Sequence, residues 1–221
     1  MLAPMDALPD REEMYDALIR RDAAFDPGYE SQIGFRDAFE KLFGNPPGRA
    51  RDAAMITVTR IHSPLGAMLA GATDDHLCLL EFADRRMLAT QIQRLRKYLR
   101  AQFVPGDHDI LAATQAQLAD YFAGRRREFD LPLTTPGTDF QRAAWDALLD
   151  IPYGTTRSYL EQARAIGRPT AVRAIGRANG DNRIAIVVPC HRVTGASGEL
   201  TGYGGHLWRK KALLDLELAN A

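Results

Sequence analysis

The stretch Val187-Val188-Pro189-Cys190-His191-Arg192-Val193 holds the residue types best suited to nucleophilic chemistry. A thiol becomes a nucleophile when a base or a positive charge favours its thiolate, and Cys190 has His191 and Arg192 as chain neighbours. A cysteine after an apolar run reads equally well as an inert buried thiol, and the segment alone leaves both readings open. Successive side chains of an extended strand point to opposite faces, so His191 could serve Cys190 only across a turn or through a water. That geometry disfavours a peptidase dyad, whose histidine arrives from elsewhere in the chain. Glu217 is the candidate third group, able to orient the imidazole. It lies three residues after Leu214 and four after Leu213, on the apolar side of the last expected helix. The plainer reading of Glu217 is an exposed carboxylate. Cys78 sits in Leu77-Cys78-Leu79-Leu80 and reads as core strand. Neither Cys-x-x-Cys nor His-x-x-x-His spacing occurs, so no metal site is expected. Two cysteines make no disulfide framework.

A second concentration of chemistry lies just upstream. Residues 154–183 contain Arg157, Arg164, Arg168, Arg173, Arg177 and Arg183 against only Glu161 and Asp181. The whole chain hides this patch, because its 28 basic and 28 acidic side chains cancel. Residues 1–51 hold 10 acidic and 7 basic side chains, leaving 21 basic against 18 acidic in the rest. Such a patch is either a solvated face or a nucleic-acid footprint. The run Ala171-Val172-Arg173-Ala174-Ile175-Gly176-Arg177-Ala178 sets small residues between arginines. Small side chains let a helix approach a groove closely, and arginine can bind phosphate or fill the space a base has left. A candidate nucleophile downstream tilts the patch toward nucleic-acid chemistry.

The elements that must position these residues fall into three regions. Residues 1–51 read as two short helices around Asp26-Pro27-Gly28, too small to bury much core alone. From Met55 the period shortens, predicting strands over 56–61, 67–73 and 77–83. Leu88, Ile92, Leu95 and Leu99 then follow helical spacing, and a second helix is expected over 111–122. The third region predicts a helix from about Thr138 to Leu149, closed by Pro152, and another over 156–166, broken at Gly167-Arg168-Pro169. A further helix is expected from a Thr170 N-cap to Asn179-Gly180, then a buried strand over 184–188, a glycine-rich stretch over 195–205, and a last helix over 207–218.

Length and composition bound the class. A chain of 221 residues, 46% hydrophobic and 25% charged, is an ordinary globular protein and neither disordered nor fibrous. No apolar run approaches the roughly 20 residues that span a bilayer, so no membrane partner is expected. The acidic opening without an apolar core predicts no signal peptide and a cytoplasmic location.

Together these residues resemble the O6-alkylguanine-DNA alkyltransferases, also called methylated-DNA–protein-cysteine methyltransferases. Pro189-Cys190-His191-Arg192-Val193 is similar to the signature pentapeptide of that family. The likeness runs from Phe140 to Glu217 through Ile151-Pro152-Tyr153-Gly154, Ser158-Tyr159, Arg173-Ala174-Ile175-Gly176, Asn179, Asn182 and Gly202-Tyr203-Gly204-Gly205. A weaker likeness reaches back to Met55 through Ser63-Pro64-Leu65-Gly66 and Leu77-Cys78-Leu79-Leu80-Glu81-Phe82.

The resemblance implies an α+β protein. A ribonuclease-H-like α/β domain would cover residues 55–135, and a helical, winged-helix-like DNA-binding and active-site domain residues 136–221. It implies a DNA repair protein that flips O6-alkylguanine out of duplex DNA and moves the alkyl group irreversibly, once per molecule, to Cys190. By the same resemblance His191 takes the thiol proton through a water, Glu217 supports the imidazole, and Asn182 braces the cysteine turn. Arg173 would enter the duplex and Tyr159 would help rotate the nucleotide, with Ala174, Arg177, Arg164 and Arg168 also on DNA. Cys190, Val193, Tyr203 and Gly204 would line the base pocket. No cofactor is implied, and a monomer suffices.

Some members of that family carry a zinc-binding N-terminal module, but no cysteine precedes Cys78, so neither module nor metal is expected. Residues 1–54 are instead expected to be a helical extension resembling half of an AraC-type helix-turn-helix domain, through Gly28-Tyr29-Glu30-Ser31-Gln32-Ile33-Gly34-Phe35 and Phe43-Gly44-Asn45-Pro46-Pro47-Gly48-Arg49. Two other functions stay in view at this point: a transcriptional regulator using that segment, and a non-reactive protein that binds alkyl damage.

Overall fold

The computed structural model describes residues 54–221, so the helices expected in the first 51 residues and the AraC-like segment lie outside the described residues. The chain opens with β1 (Ala54–Ser63), β2 (Gly66–Ala72) and β3 (Leu77–Phe82). The expected strands form, each within a few residues of its expected ends. β1 and β2 pair antiparallel from Ser63 opposite Gly66, across a turn in which Ser63 Oγ accepts from Leu65 N at 3.2 Å and donates to Gly66 O at 2.7 Å. Helix α1 (Leu88–Leu99) crosses over to β4 (Ala101–Pro105), which lies parallel to β1 and completes the sheet order β3-β2-β1-β4. β4 is absent from the sequence reading because its punctuation is unusual. Arg100, not glycine, takes the left-handed conformation that ends α1, with φ 48°.

Both faces of the sheet are covered. Ile56, Val58, Leu69, Leu79 and Phe103 pack with Leu88, Ile92 and Leu95 of α1. On the other face, Ile61, Met68, Leu80 and Phe82 meet Leu111, Leu118 and Tyr121 of α2 (Asp109–Phe122). β3, covered on both faces, buries all six of its residues, the charged Glu81 among them.

The second half contains α3 (Asp139–Leu149), β5 (Arg157–Ser158), α4 (Tyr159–Ala165), α5 (Val172–Gly180), a 3-10 turn (Cys190–Arg192), β6 (Val193–Thr194) and α6 (Leu207–Ala219). Thr138 and Gln141 close a capping box on α3, and Ser158 and Glu161 close another on α4. That second box corrects the helix expected over 156–166: Ser158 lies outside it as N-cap, and Arg157-Ser158 pair with Val193-Thr194. Thr170 is not a cap either. α5 starts after Ala171 with no side chain on its first amides.

The same core cluster that covers the sheet continues into Trp145, Leu148, Ile184, Val188 and Leu213. The backbone joins the halves as well. β3 is an edge strand, and its free edge bonds to residues 183–185: Leu80 N donates to Arg183 O at 2.8 Å, and Ala185 N to Leu80 O at 2.7 Å. An otherwise open edge is thereby closed by the segment that leads to the cysteine.

Candidate active site

The segment over 184–188 is buried as expected, but it is not a strand. Ile184 makes one bridge to Leu80, and the chain then coils, with Ile186 at φ 71°. A β-branched residue in that region is strained, and the surroundings must hold it there. Asn182 supplies the hold. Its Oδ1 accepts from Ile184 N at 3.0 Å and its Nδ2 donates to Val188 O at 2.8 Å, so the segment wraps around one amide.

The same Nδ2 lies 3.3 Å from Cys190 Sγ. Cys190 opens the 3-10 turn, which resolves the geometric objection raised by an extended chain: cysteine and histidine are successive residues of a turn. Burial pushes the Cys190 thiol up, while the Asn182 bond and the charge of Arg85 oppose that rise. Cys190 is half-buried and lines a pocket of about 200 Å³ with Gly202, Tyr203, Gly204, Glu81 and Arg85. Cys78 is sealed in β3, its thiol bonded to Gly71 O and pushed up to about 12 by burial.

His191 and Glu217 are both wholly buried, with Nε2 and Oε1 2.8 Å apart. Tyr121 OH donates to Oε1 at 2.8 Å, and Gly154 N donates to Oε2 at 3.2 Å. Arg192 grips both oxygens, through Nε at 2.9 Å and Nη2 at 3.0 Å, and its Nη1 donates to Ile151 O at 2.6 Å. Burial alone would raise the Glu217 carboxyl, but His191 and Arg192 outweigh it and hold the group down at about 2. An ionised carboxylate can only accept, so the proton between the pair belongs to His191 Nε2 and leaves Nδ1 as the bare acceptor. Burial pushes the imidazole pKa down, and Nδ1 is buried without a partner among the described residues.

The arginine helix is held from behind. Ile175, Ala178 and Asn179 face inward, where Asn179 and Gln162 exchange amide bonds at 2.7 and 3.0 Å and Trp145 Nε1 donates to Ala178 O at 2.8 Å. This turns Arg173, Ala174 and Arg177 outward to solvent, and Arg164 and Arg168 are also exposed. Arg183 leaves the patch. It is buried, with its guanidinium 5.5 Å from the Tyr98 ring and 5.4 Å from that of Trp145. Tyr159 is half-buried beside the pocket and donates to Thr201 O at 3.2 Å. Val193 is fully buried behind the turn, outside the pocket lining, with its carbonyl accepting from Lys210.

Sequence reasoning named Arg192 only as a neighbour of Cys190, and it missed Tyr121, Glu81 and Arg85. The one available signal was charge inside an apolar run, Leu79-Leu80-Glu81-Phe82.

Two family models match. Residues 56–135 match the 6-O-methylguanine DNA methyltransferase ribonuclease-like domain, and residues 139–219 the 6-O-methylguanine DNA methyltransferase DNA binding domain. The chain is 50% identical over 168 residues to a methylated-DNA–protein-cysteine methyltransferase of Mycobacterium bovis, covering 76% of this chain and 95% of that one. The crystal structure of Mycobacterium tuberculosis O6-methylguanine methyltransferase superposes with a TM-score of 0.65 at 46% identity, over 76% of this chain and 95% of that one. A Mycobacterium tuberculosis OGT in complex with DNA superposes at 0.63 and 45% identity, over 76% and 94%.

Proposed function

We infer the working of this site from one premise: the chain belongs to the methylated-DNA–protein-cysteine methyltransferase family. It is a DNA repair protein that transfers an alkyl group from guanine O6 to a cysteine of its own. The acceptor is Cys190. One observation carries that assignment: Cys78 is sealed inside β3, whereas Cys190 borders a pocket, beside a buried His191–Glu217–Arg192 relay.

The target is duplex DNA. An alkyl group on O6 lies within the base stack, so the nucleotide must leave the helix before a protein thiol can reach it. Arg173 and Ala174 on the exposed face of α5 enter the groove, with Arg173 filling the space left by the base. Tyr159, at the pocket edge, guides the nucleotide, and Arg164, Arg168 and Arg177 meet phosphates. Tyr203 and Gly204 hold the base against Cys190.

The Cys190 proton passes through a water to His191 Nδ1, and Glu217 stabilises the imidazolium that forms. The Sγ lone pair forms the bond to the alkyl carbon. The C–O6 bond breaks with its electrons kept by guanine, which takes up a proton at N1. The thioether has no comparable leaving group, so each molecule acts once. All members of this relay lie on one chain, so a single copy is enough. Residues 55–135 serve as the platform, and residues 1–54 as an extension outside the chemistry.

The test is intact-mass analysis after exposure to excess duplex bearing one O6-methylguanine. One methyl per protein, mapped to Cys190 and absent from Cys190→Ser, is the expected result. A plateau well above one, or a methyl mapped elsewhere, overturns the reading.

A further inference from the structure

Glu81 and Arg85 come from β3 and the turn after it, far in sequence from the reactive segment, yet both line the Cys190 pocket. A buried carboxylate is costly unless paired. Arg85 Nη1 pairs with Glu81 Oε2, and Phe82 N donates to Oε1 at 2.9 Å. Arg85 also reaches across to the reactive half, through Nη1 to Asn182 O at 3.1 Å and Nη2 to Gly180 O at 2.5 Å.

Held at these points, the guanidinium lies flat on the glycine loop. A Cβ at Gly204 would stand 2.5 Å from Arg85 Cζ and 2.6 Å from Nε, so the absent side chain makes the room that the guanidinium fills. Among the described residues, Arg85 Nε is buried with no acceptor, and so is the Tyr203 hydroxyl on the same wall. Two buried donors left unmade are expensive, and a ligand oxygen would satisfy them.

We propose that Arg85, anchored by Glu81, determines alkyl specificity, favouring alkyl groups that carry an oxygen acceptor over apolar groups of equal size. The proposal rests on Cys190 being the acceptor, since the alkyl group must then lie at the Cys190 end of the pocket. An apolar group there leaves both donors unmade and sets hydrocarbon against an ion pair. A hydroxyl on the second carbon can accept from Arg85 Nε or Tyr203 OH. Sites that hydrogen-bond a substrate hydroxyl discriminate strongly against the analogue without it. The bond changes are those of methyl transfer: Sγ joins the first carbon, the C–O6 bond breaks toward guanine, and the hydroxyl travels unchanged.

The experiment compares two duplexes, one with O6-(2-hydroxyethyl)guanine and one with O6-propylguanine, whose alkyl groups have equal numbers of heavy atoms. Single-turnover rates give a hydroxyethyl-to-propyl ratio that cancels losses common to both. The ratio should fall roughly tenfold from wild type to Arg85→Met. Tyr203→Phe, which leaves the Glu81–Arg85 pair intact, should lower it by a smaller factor and decides the matter if Arg85→Met fails to fold. Gly204→Ala should lower it too, by pushing the guanidinium aside. An unchanged ratio overturns the proposal, and equal losses on both duplexes mean that the donors serve the base. A wild type that takes no methyl on Cys190 from O6-methylguanine would instead overturn the functional reading itself.

Discussion

Arg192 and Glu217 form a two-point contact between the Cys190 turn and the last helix, with Nε on Oε2 at 2.9 Å and Nη2 on Oε1 at 3.0 Å. The carboxylate that orients His191 is therefore fixed by the residue next to that histidine. Replacing Glu217 tests both roles at once. Glu217→Gln leaves Arg192 buried without its counter-ion and should cost about 3 kcal/mol or more at neutral pH. The methyl count per molecule should stay at one while the transfer rate falls. Denaturant unfolding with a methyl count on the same preparations measures both.

The pH dependence of that stability follows from the depressed carboxyl. Glu217 has an ordinary value of 4.5 and is held at about 2 in the folded protein. Its stabilisation is fully present above 4.5 and is lost as pH falls toward 2. The gap between wild type and Glu217→Gln should therefore be constant above pH 5 and close steadily below 4.5. Unfolding curves across that window would contradict the assignment if the gap held constant down to pH 2.

A thiol raised above its ordinary 9.0 gives a transfer rate that keeps climbing with pH beyond 9. Asn182 opposes the rise, so Asn182→Ala should slow transfer near pH 7 and recover part of the loss at high pH. Stopped-flow reaction with free O6-benzylguanine reads this directly. A constant ratio of the two rates across pH would assign Asn182 to folding alone.

Arg173 projects from α5 into solvent. Arg173→Ala should slow repair of duplex DNA far more than reaction with free O6-benzylguanine, which needs no flipping. Equal losses on both substrates would remove it from the duplex. Arg164→Ala or Arg168→Ala should mainly weaken binding and flatten its salt dependence.

Cys78 offers a control. Sealed in β3, it should resist a thiol reagent under native conditions, so one thiol reacts before unfolding and two after. Cys78→Ala should leave the methyl count unchanged. Two fast-reacting thiols in the native protein would show that β3 opens.

Much of this was legible in the residues. Strand period and turn signals located β1 to β3, and Glu217, expected on the apolar side of the last helix, lies against His191. What escaped has physical causes. Local propensity sees Ile184 to Val188 as strand, because five apolar residues in a row carry no trace of the Asn182 amide that bends them. Arg183 counts as a surface cation until Tyr98 and Trp145 enclose it. Glu81 and Arg85 meet the pocket only because β3 pairs its free edge with residues 183–185, a contact about a hundred residues apart in sequence that no local pattern records.

The order of the relay along the chain has a consequence for synthesis. The Cys190 turn leaves the ribosome before α6, the helix that brings Glu217 to His191 and Arg192. Until that helix docks, the emerging chain has a cysteine without the carboxylate that readies its base. A site assembled this way is complete only once α6 has been made and docked, so Cys190 gains its full set of neighbours late in folding.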